Sequence, residues 1–277
     1  MMQHLLRYSY SVAALCITGA FAVALGFVLV SVIRHLLWTH EMGGMHHLDP
    51  SLWLLTGGAV LITGLFWYRI MAALFRHRAK RLRFEAQITP LLKPLAVEVP
   101  ESIQGTATWY ELNDPQPMAF TWGVLRQRIA LSSGLCGALD APARAAVMHH
   151  EAAHARMHDP LQHALLLVLA DAFGPFGMRA LFQHYLVRRE VSADRDALAA
   201  CGGDDLPILS ALFTVAAAQQ EPASSYVGLA GAIEARLEFL ETGTTPHLWD
   251  GNLRYRLLAS TMAILLTVGQ GLLVWCH

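Results

Sequence analysis

Residues 146–161 read AVMHHEAAHARMHDPL, a run in which small, helix-favouring alanines surround four histidines. Upstream, Asp140 is suited to cap a helix and Pro142 to its first turn, so a helix is predicted from Asp140 to Met157. Within it lies His150-Glu151-Ala152-Ala153-His154, the HExxH pattern. Residues four apart on a helix project from one face a turn apart, so the two imidazoles can grip a single ion. Zinc held by neutral imidazoles keeps an open position and lowers the pKa of a bound water to about 7. Glu151, beside that position, is the expected general base.

A catalytic zinc needs a third protein ligand. The segment REVSAD supplies Glu190, and Asp194 one turn later can hold a ligand histidine through its other ring nitrogen. The bland alternative makes both acids solvating groups among Arg188, Arg189 and Arg195. His158 is a rival ligand, although helical drift of about 40° per four residues takes it off the His150 face. His149 points about 100° away from His150 and is expected to pack or face solvent. Cys16, Cys136, Cys201 and Cys276 have no CxxC spacing, so neither a disulfide framework nor a cysteine metal site is expected.

Apolar and aromatic residues make up 55% of the 277, and charged ones 15%, against roughly 25% in ordinary soluble domains. A formal charge of -1 leaves no basic field for direct nucleic-acid binding. Uncharged runs at Tyr8–Ile33, Pro50–Tyr68 and Leu257–Trp275 approach or exceed the ~20 residues that cross hydrocarbon, so three transmembrane helices in a lipid bilayer are expected. The first continues well past its Ala20–Ala22 pattern and is expected to be an uncleaved anchor. Arg69, Arg76, Arg78, Lys80, Arg81 and Arg83 follow the second run, whereas Arg34 alone marks the loop before it. Basic residues favour the cytoplasmic side, which places residues 76–256 inside and the 34–49 loop outside in a bacterial-type inner membrane. The apolar stretch Leu161–Val187 is broken by Asp171, Gly174-Pro175, Gly177 and Arg179. Each half is too short to cross, and a single crossing would separate Glu190 from His150 and His154. A membrane-associated hairpin over 161–187 satisfies both constraints.

Between the second span and residue 140, short β-rich runs at 95–99, 106–113, 118–125 and 128–132 predict a small antiparallel sheet. Later helices are expected over about 205–220 and 226–241, the second with Ile233, Leu237 and Leu240 on one face. The fold class is therefore an α+β zinc-peptidase domain inserted between transmembrane helices in a mainly α-helical membrane protein. Its parts are 1–75 (two spans and a short outer loop), 76–256 (peptidase domain) and 257–277 (last span).

AFTWGVLRQRIALSSGL (119–135), AVMHHEAAHARMHDPL and REVSADRDAL (189–198) resemble the BlaR/MecR-type membrane zinc metallopeptidases, over roughly residues 90–240. The resemblance implies a gluzincin domain, zinc on His150, His154 and Glu190, and Glu151 as base. It further implies a cytosolic winged-helix repressor as substrate and partner in a signalling pathway. The chain is expected to end at the last span, without the penicillin-binding sensor domain of that family's antibiotic receptors. The HtpX and CAAX prenyl protease type shares HExxH and ExxAD and is the alternative, implying quality control or processing of membrane proteins. Non-catalytic alternatives are a membrane metal sensor, a repressor-binding scaffold and an inactive relative; the intact HExxH and Glu190 argue against the last.

The outer loop concentrates His35, His40, His46, His47, Met42 and Met45, residues suited to soft or borderline metals, yet without fixed ligand spacing. A polar loop at the membrane interface is the preferred reading. Trp122 is either a packed tryptophan or part of an edge strand to which an extended substrate adds. His184, Tyr185 and His247 are candidate oxyanion donors, each with a structural role as the more ordinary reading.

Overall fold

A computed structural model describes residues 18–20, 22–34, 37, 50–174, 177–218 and 227–244. These fall into two compact units, one drawn from the ranges Met1–His77 and Leu166–Phe182, the other from Arg78–Leu165 and Gln183–Leu248. In the first, residues 22–34 form helix α1, whose Leu25, Val28 and Val32 are buried. Helix α2 (Pro50–Ile88) begins there. Phe66 of α2 stacks on Phe173 at 4.9 Å, and Arg69 Nε donates to the Ala172 carbonyl at 2.7 Å. The predicted second span forms the first half of α2. The first span is described only in part, and the third lies outside the described residues, as do most of the His/Met-rich loop and His247. Among the described residues, no helix is long and apolar enough to cross a membrane.

The second unit carries a four-stranded sheet: β1 (Leu92–Pro94), β2 (Thr108–Leu112), β3 (Ala119–Trp122) and β4 (Arg128–Ser132), in the order β1-β2-β4-β3. Two expectations are corrected. Residues 95–99 are not a strand, the pairing segment being 92–94. Nor is the sheet wholly antiparallel, since β2 and β4 run parallel. The reason lies in residues 113–118, where two prolines replace the turn chemistry of a tight hairpin and carry the chain past β4 to its far side. Ser132 ties that crossing down: its hydroxyl donates to the Gln116 carbonyl at 2.7 Å and accepts from Met118 N at 3.0 Å. Gly134 is required alongside, because a Cβ there would collide with the Pro115 carbonyl. The crossing makes β3 an edge strand.

Period-2 alternation sorts the sheet into two faces. Ile129 and Leu131 join Leu135, Ala143, Met148, Ala152 and Ala211 in one core. Ala130 faces the other way, into a cluster with Ile88, Leu112 and Trp122. Helix α3 (Ser133–Ala138) leads into α4 (Ala141–Arg156), whose N-terminus is capped by Asp140 accepting from Ala143 N at 2.9 Å. Alanines on α4 let it approach both the sheet and α7 (Leu206–Ala218) closely. His158 then adopts a left-handed conformation (φ 51°) that starts α5 (Asp159–Phe173). The predicted break at Gly174 is present: α5 ends at Phe173 and α6 runs from Met178 to Ala200. The chain thus leaves this unit at Leu165 and re-enters it at Gln183, ahead of Glu190. Helix α8 (Val227–Thr242) closes the unit with Ala235, Phe239 and Leu240 buried; of the predicted stripe, Leu240 is buried and Ile233 and Leu237 are half-buried.

Candidate active site

His150, Glu151 and His154 occupy consecutive turns of α4 and are all buried. Glu190, on α6, completes a group with the two histidines in which one ligand atom from each lies within 4.8 Å of the others. His150 Nε2 and His154 Nε2 are 3.1 Å apart, with Glu190 Oε2 at 3.3 and 3.8 Å from them. The structure therefore brings together the three residues named as ligands. His158 is exposed beyond the end of α4 and takes no part, and His149 is half-buried.

Each histidine is oriented from behind. His150 Nδ1 meets Asp194 Oδ1 at 2.8 Å, as expected, and His154 Nδ1 meets Asp159 Oδ2 at 2.6 Å. An ionised carboxylate only accepts, so each Nδ1 carries the proton and each Nε2 presents its lone pair. Two lone pairs and a carboxylate oxygen converging on one point form a group that could hold a cation. The donor set, two imidazoles and one carboxylate, is one that zinc takes in catalytic sites. Without a metal the acceptors capture a proton. Burial disfavours the His150 imidazolium, but hydrogen bonds to Asp194 and Glu190 outweigh it and raise the pKa to about 9.

Several supporting groups were not singled out by sequence. Asp159 is fully buried, and the Tyr185 hydroxyl reaches its carbonyl at 3.3 Å and its carboxylate at 3.4 Å. Tyr185 thereby serves the support of His154 and is withdrawn as an oxyanion donor. Arg236, on α8, donates twice to Asp194, at 2.7 and 2.8 Å. Arg189 holds Glu190 Oε1 with Nη2 at 2.6 Å and Nε at 3.0 Å, leaving Oε2 to face the histidines. Burial alone would raise the carboxyl pKa of Glu190; Arg189 and the histidines overcome this and hold it well below the usual range. Burial likewise opposes ionisation of Asp194, and Arg236 overcomes it. Trp122 is buried 5.3 Å from Phe120 and 5.8 Å from Tyr110, the packed reading of that residue.

A cavity of about 300 Å³ opens beside these groups, lined by His150, Glu151, Glu190, Ala119, Leu212 and Arg236 among others. His184 is not among its lining residues, whereas His163, 3.2 Å from Arg189, is. A buried glutamate beside two histidines and a second carboxylate that could hold a metal, next to a cavity reaching an edge strand, fits the site of a metallopeptidase. Residues 84–235 match Peptidase family M48, and the chain belongs to that family of metalloproteases, hydrolases of peptide bonds. Over 75 residues it is 39% identical to a protease HtpX homolog from Acidiphilium cryptum (strain JF-5). That stretch covers 26% of this chain and 26% of the relative, so the likeness spans about a quarter of either protein. No solved structure matches the chain.

Proposed function

We propose that the protein is a membrane-bound, HtpX-like zinc endopeptidase that cuts membrane or membrane-surface proteins, with its peptidase domain facing the cytoplasm. The observation that carries this reading is the convergence of His150, His154 and Glu190 beside Glu151 in a chain of family M48. Uncharged runs at Tyr8–Ile33, Pro50–Tyr68 and Leu257–Trp275 support the membrane location. A repressor as substrate followed from the resemblance to BlaR/MecR. The family match and the HtpX homolog favour the processing or quality-control alternative instead.

His150, His154 and Glu190 would hold the zinc. When bound there, the ion supplies a Lewis acid and brings the pKa of a coordinated water to about 7. The chain's own groups do the rest. Glu151 removes a proton from the attacking water, oxygen bonds to the scissile carbonyl carbon, and the proton passes from Glu151 to the amide nitrogen as the C–N bond breaks. Asp194 and Asp159 hold the imidazoles in one tautomer throughout. Among the described residues, strand β3 is an edge of the sheet, to which an extended substrate would add as a further strand. The apolar walls of the cavity accept a side chain next to the cut.

The test uses the purified full-length chain and a Glu151→Gln variant, both zinc-loaded, against unfolded membrane-protein substrates. Equal zinc content with cleavage by the parent alone supports the reading, and equal activity of the two overturns it. In native membranes, accumulation of many membrane proteins with Glu151→Gln fits this function, whereas accumulation of one or two DNA-binding regulators restores the signalling alternative.

A further inference from the structure

We infer that Thr121, on edge strand β3, is a positioning residue that clamps one carboxylate oxygen of Glu151 and leaves the other as the proton acceptor. The inference rests on the peptidase reading of this site. Thr121 Oγ1 lies 2.7 Å from Glu151 Oε2 and 3.0 Å from the Glu151 carbonyl oxygen. A hydroxyl has a single proton, so it serves one acceptor at a time. Glu151 is inside α4, where its carbonyl already accepts the helix hydrogen bond from four residues on. The carboxylate oxygen is the nearer acceptor and the charged one, and a hydrogen bond to a charged group is the stronger. The proton of Thr121 therefore goes to Oε2.

Both ends of this bond are fixed. Thr121 pairs with Ile129 of β4, and a β-branched side chain in a strand has little rotamer freedom. It shares its face of the sheet with Ala119, which lines the active-site cavity, while Phe120 and Trp122 belong to the cluster on the opposite face. Glu151 also lines that cavity. With Oε2 occupied by Thr121, Oε1 is left to take the proton from water. Because β3 is the free edge of the sheet, the strand on which an extended substrate would add is the strand that orients the base. Binding and base alignment are thus joined through one hydroxyl.

The experiment compares Thr121→Val, which keeps the shape and removes the hydroxyl, with Thr121→Ser, which keeps the hydroxyl, in the zinc-loaded full-length chain. Glu151→Gln sets the baseline. The expected result for Thr121→Val is a kcat lower by about ten- to a hundredfold, the range a hydrogen bond to a charged group commands, with KM changed by less than about twofold. Zinc affinity should stay at the parent value, and the variant should remain folded at the assay temperature, with a thermal midpoint lowered only by the unpairing of one buried carboxylate oxygen. Thr121→Ser should recover kcat to within about threefold of the parent, its looser rotamer accounting for the deficit. A readout apart from turnover is infrared spectroscopy of chains carrying 13C-labelled glutamate: the carboxylate band that Glu151→Gln deletes should move in Thr121→Val and stay in place in Thr121→Ser. An unchanged kcat in Thr121→Val overturns the inference, as does a loss that tracks lost zinc or unfolding at the assay temperature, or one that Thr121→Ser fails to recover. Should the parent itself cleave nothing, the peptidase reading falls and this inference with it.

Discussion

Replacing Asp194 by Asn tests the support behind the metal ligands with the smallest change in shape. Asp194 is 0% exposed and accepts from three donors: His150 Nδ1 at 2.8 Å and Arg236 Nε and Nη2 at 2.7 and 2.8 Å. An amide keeps one acceptor oxygen but turns an NH2 toward one of these donors and removes the counter-charge of a buried guanidinium. His150 loses the carboxylate that fixes its tautomer. Arg236, already 3.9 Å from Glu190 Oε2, is drawn toward a ligand oxygen and competes for it. Loss of such a partner weakens metal affinity by about 10–100-fold, or about 1.4–2.7 kcal/mol. Competition for zinc with a chromophoric chelator, on the detergent-solubilised chain, measures the change. Stranding Arg236 should also cost about 3–5 kcal/mol of stability. Adding Arg236→Met to Asp194→Asn should recover most of that stability without recovering zinc affinity. Asp196→Asn is the control, since that residue of α6 pairs with exposed Arg156. Parent-like zinc affinity in a folded Asp194→Asn protein would refute the reasoning.

Four further outcomes are expected. Removing a ligand by His154→Ala should abolish stoichiometric zinc in metal analysis, and retained zinc would sink the ligand assignment. In the metal-free chain, His150 has a folded pKa of about 9 against an ordinary 6.5, so its stabilisation is complete below pH 6.5 and lost as pH rises through 9; denaturation midpoints should follow that course and flatten once zinc replaces the proton. Gly134→Ala should lower the thermal midpoint, because the new Cβ meets the Pro115 backbone and overpacking costs about 1–3 kcal/mol. Cysteine labelling at position 114 in a cysteine-free background should fail from outside intact cells, and external labelling there would reverse the proposed orientation.

How much of this was legible in the chain depends on the distance over which each feature is decided. Helix α4 was readable almost to the residue because Asp140, Pro142 and the alanine run act within one helix. The Gly174 break and α7 are equally local. Strand pairing is not. The run 108–112 reads the same whether its neighbour is β3 or β4, and only the proline-bearing crossing at 113–118, held by Ser132 and Gly134, selects the parallel partner. Within the site, Glu190 and Asp194 could be named because EVSAD has its own helical spacing. Arg236 carried no comparable signal: a single arginine in α8 looks like any solvated charge until the fold places it against Asp194. Asp159 was visible only as part of a motif, and its bond to His154 depends on the left-handed turn at His158.

The charges in this centre explain why so many long-range partners are present. Glu151, Glu190, Asp194 and Asp159 carry four formal negative charges among buried or half-buried side chains. Arg189 and Arg236 answer two of them, and both guanidiniums are committed, one to Glu190 and the other chiefly to Asp194. Two negative charges remain in a region where an unpaired ion costs several kcal/mol. A divalent cation at the convergence of His150, His154 and Glu190 restores neutrality, whereas a single proton on His150 restores half of it. The same arithmetic accounts for the geometry of Glu190. With Oε1 taken by Arg189, one oxygen alone faces the histidines, so Glu190 would hold a metal through a single atom. Arg189 and Arg236 would therefore act on a bound metal without touching it: each balances a carboxylate, and Arg189 also decides which oxygen of Glu190 is free to face the histidines.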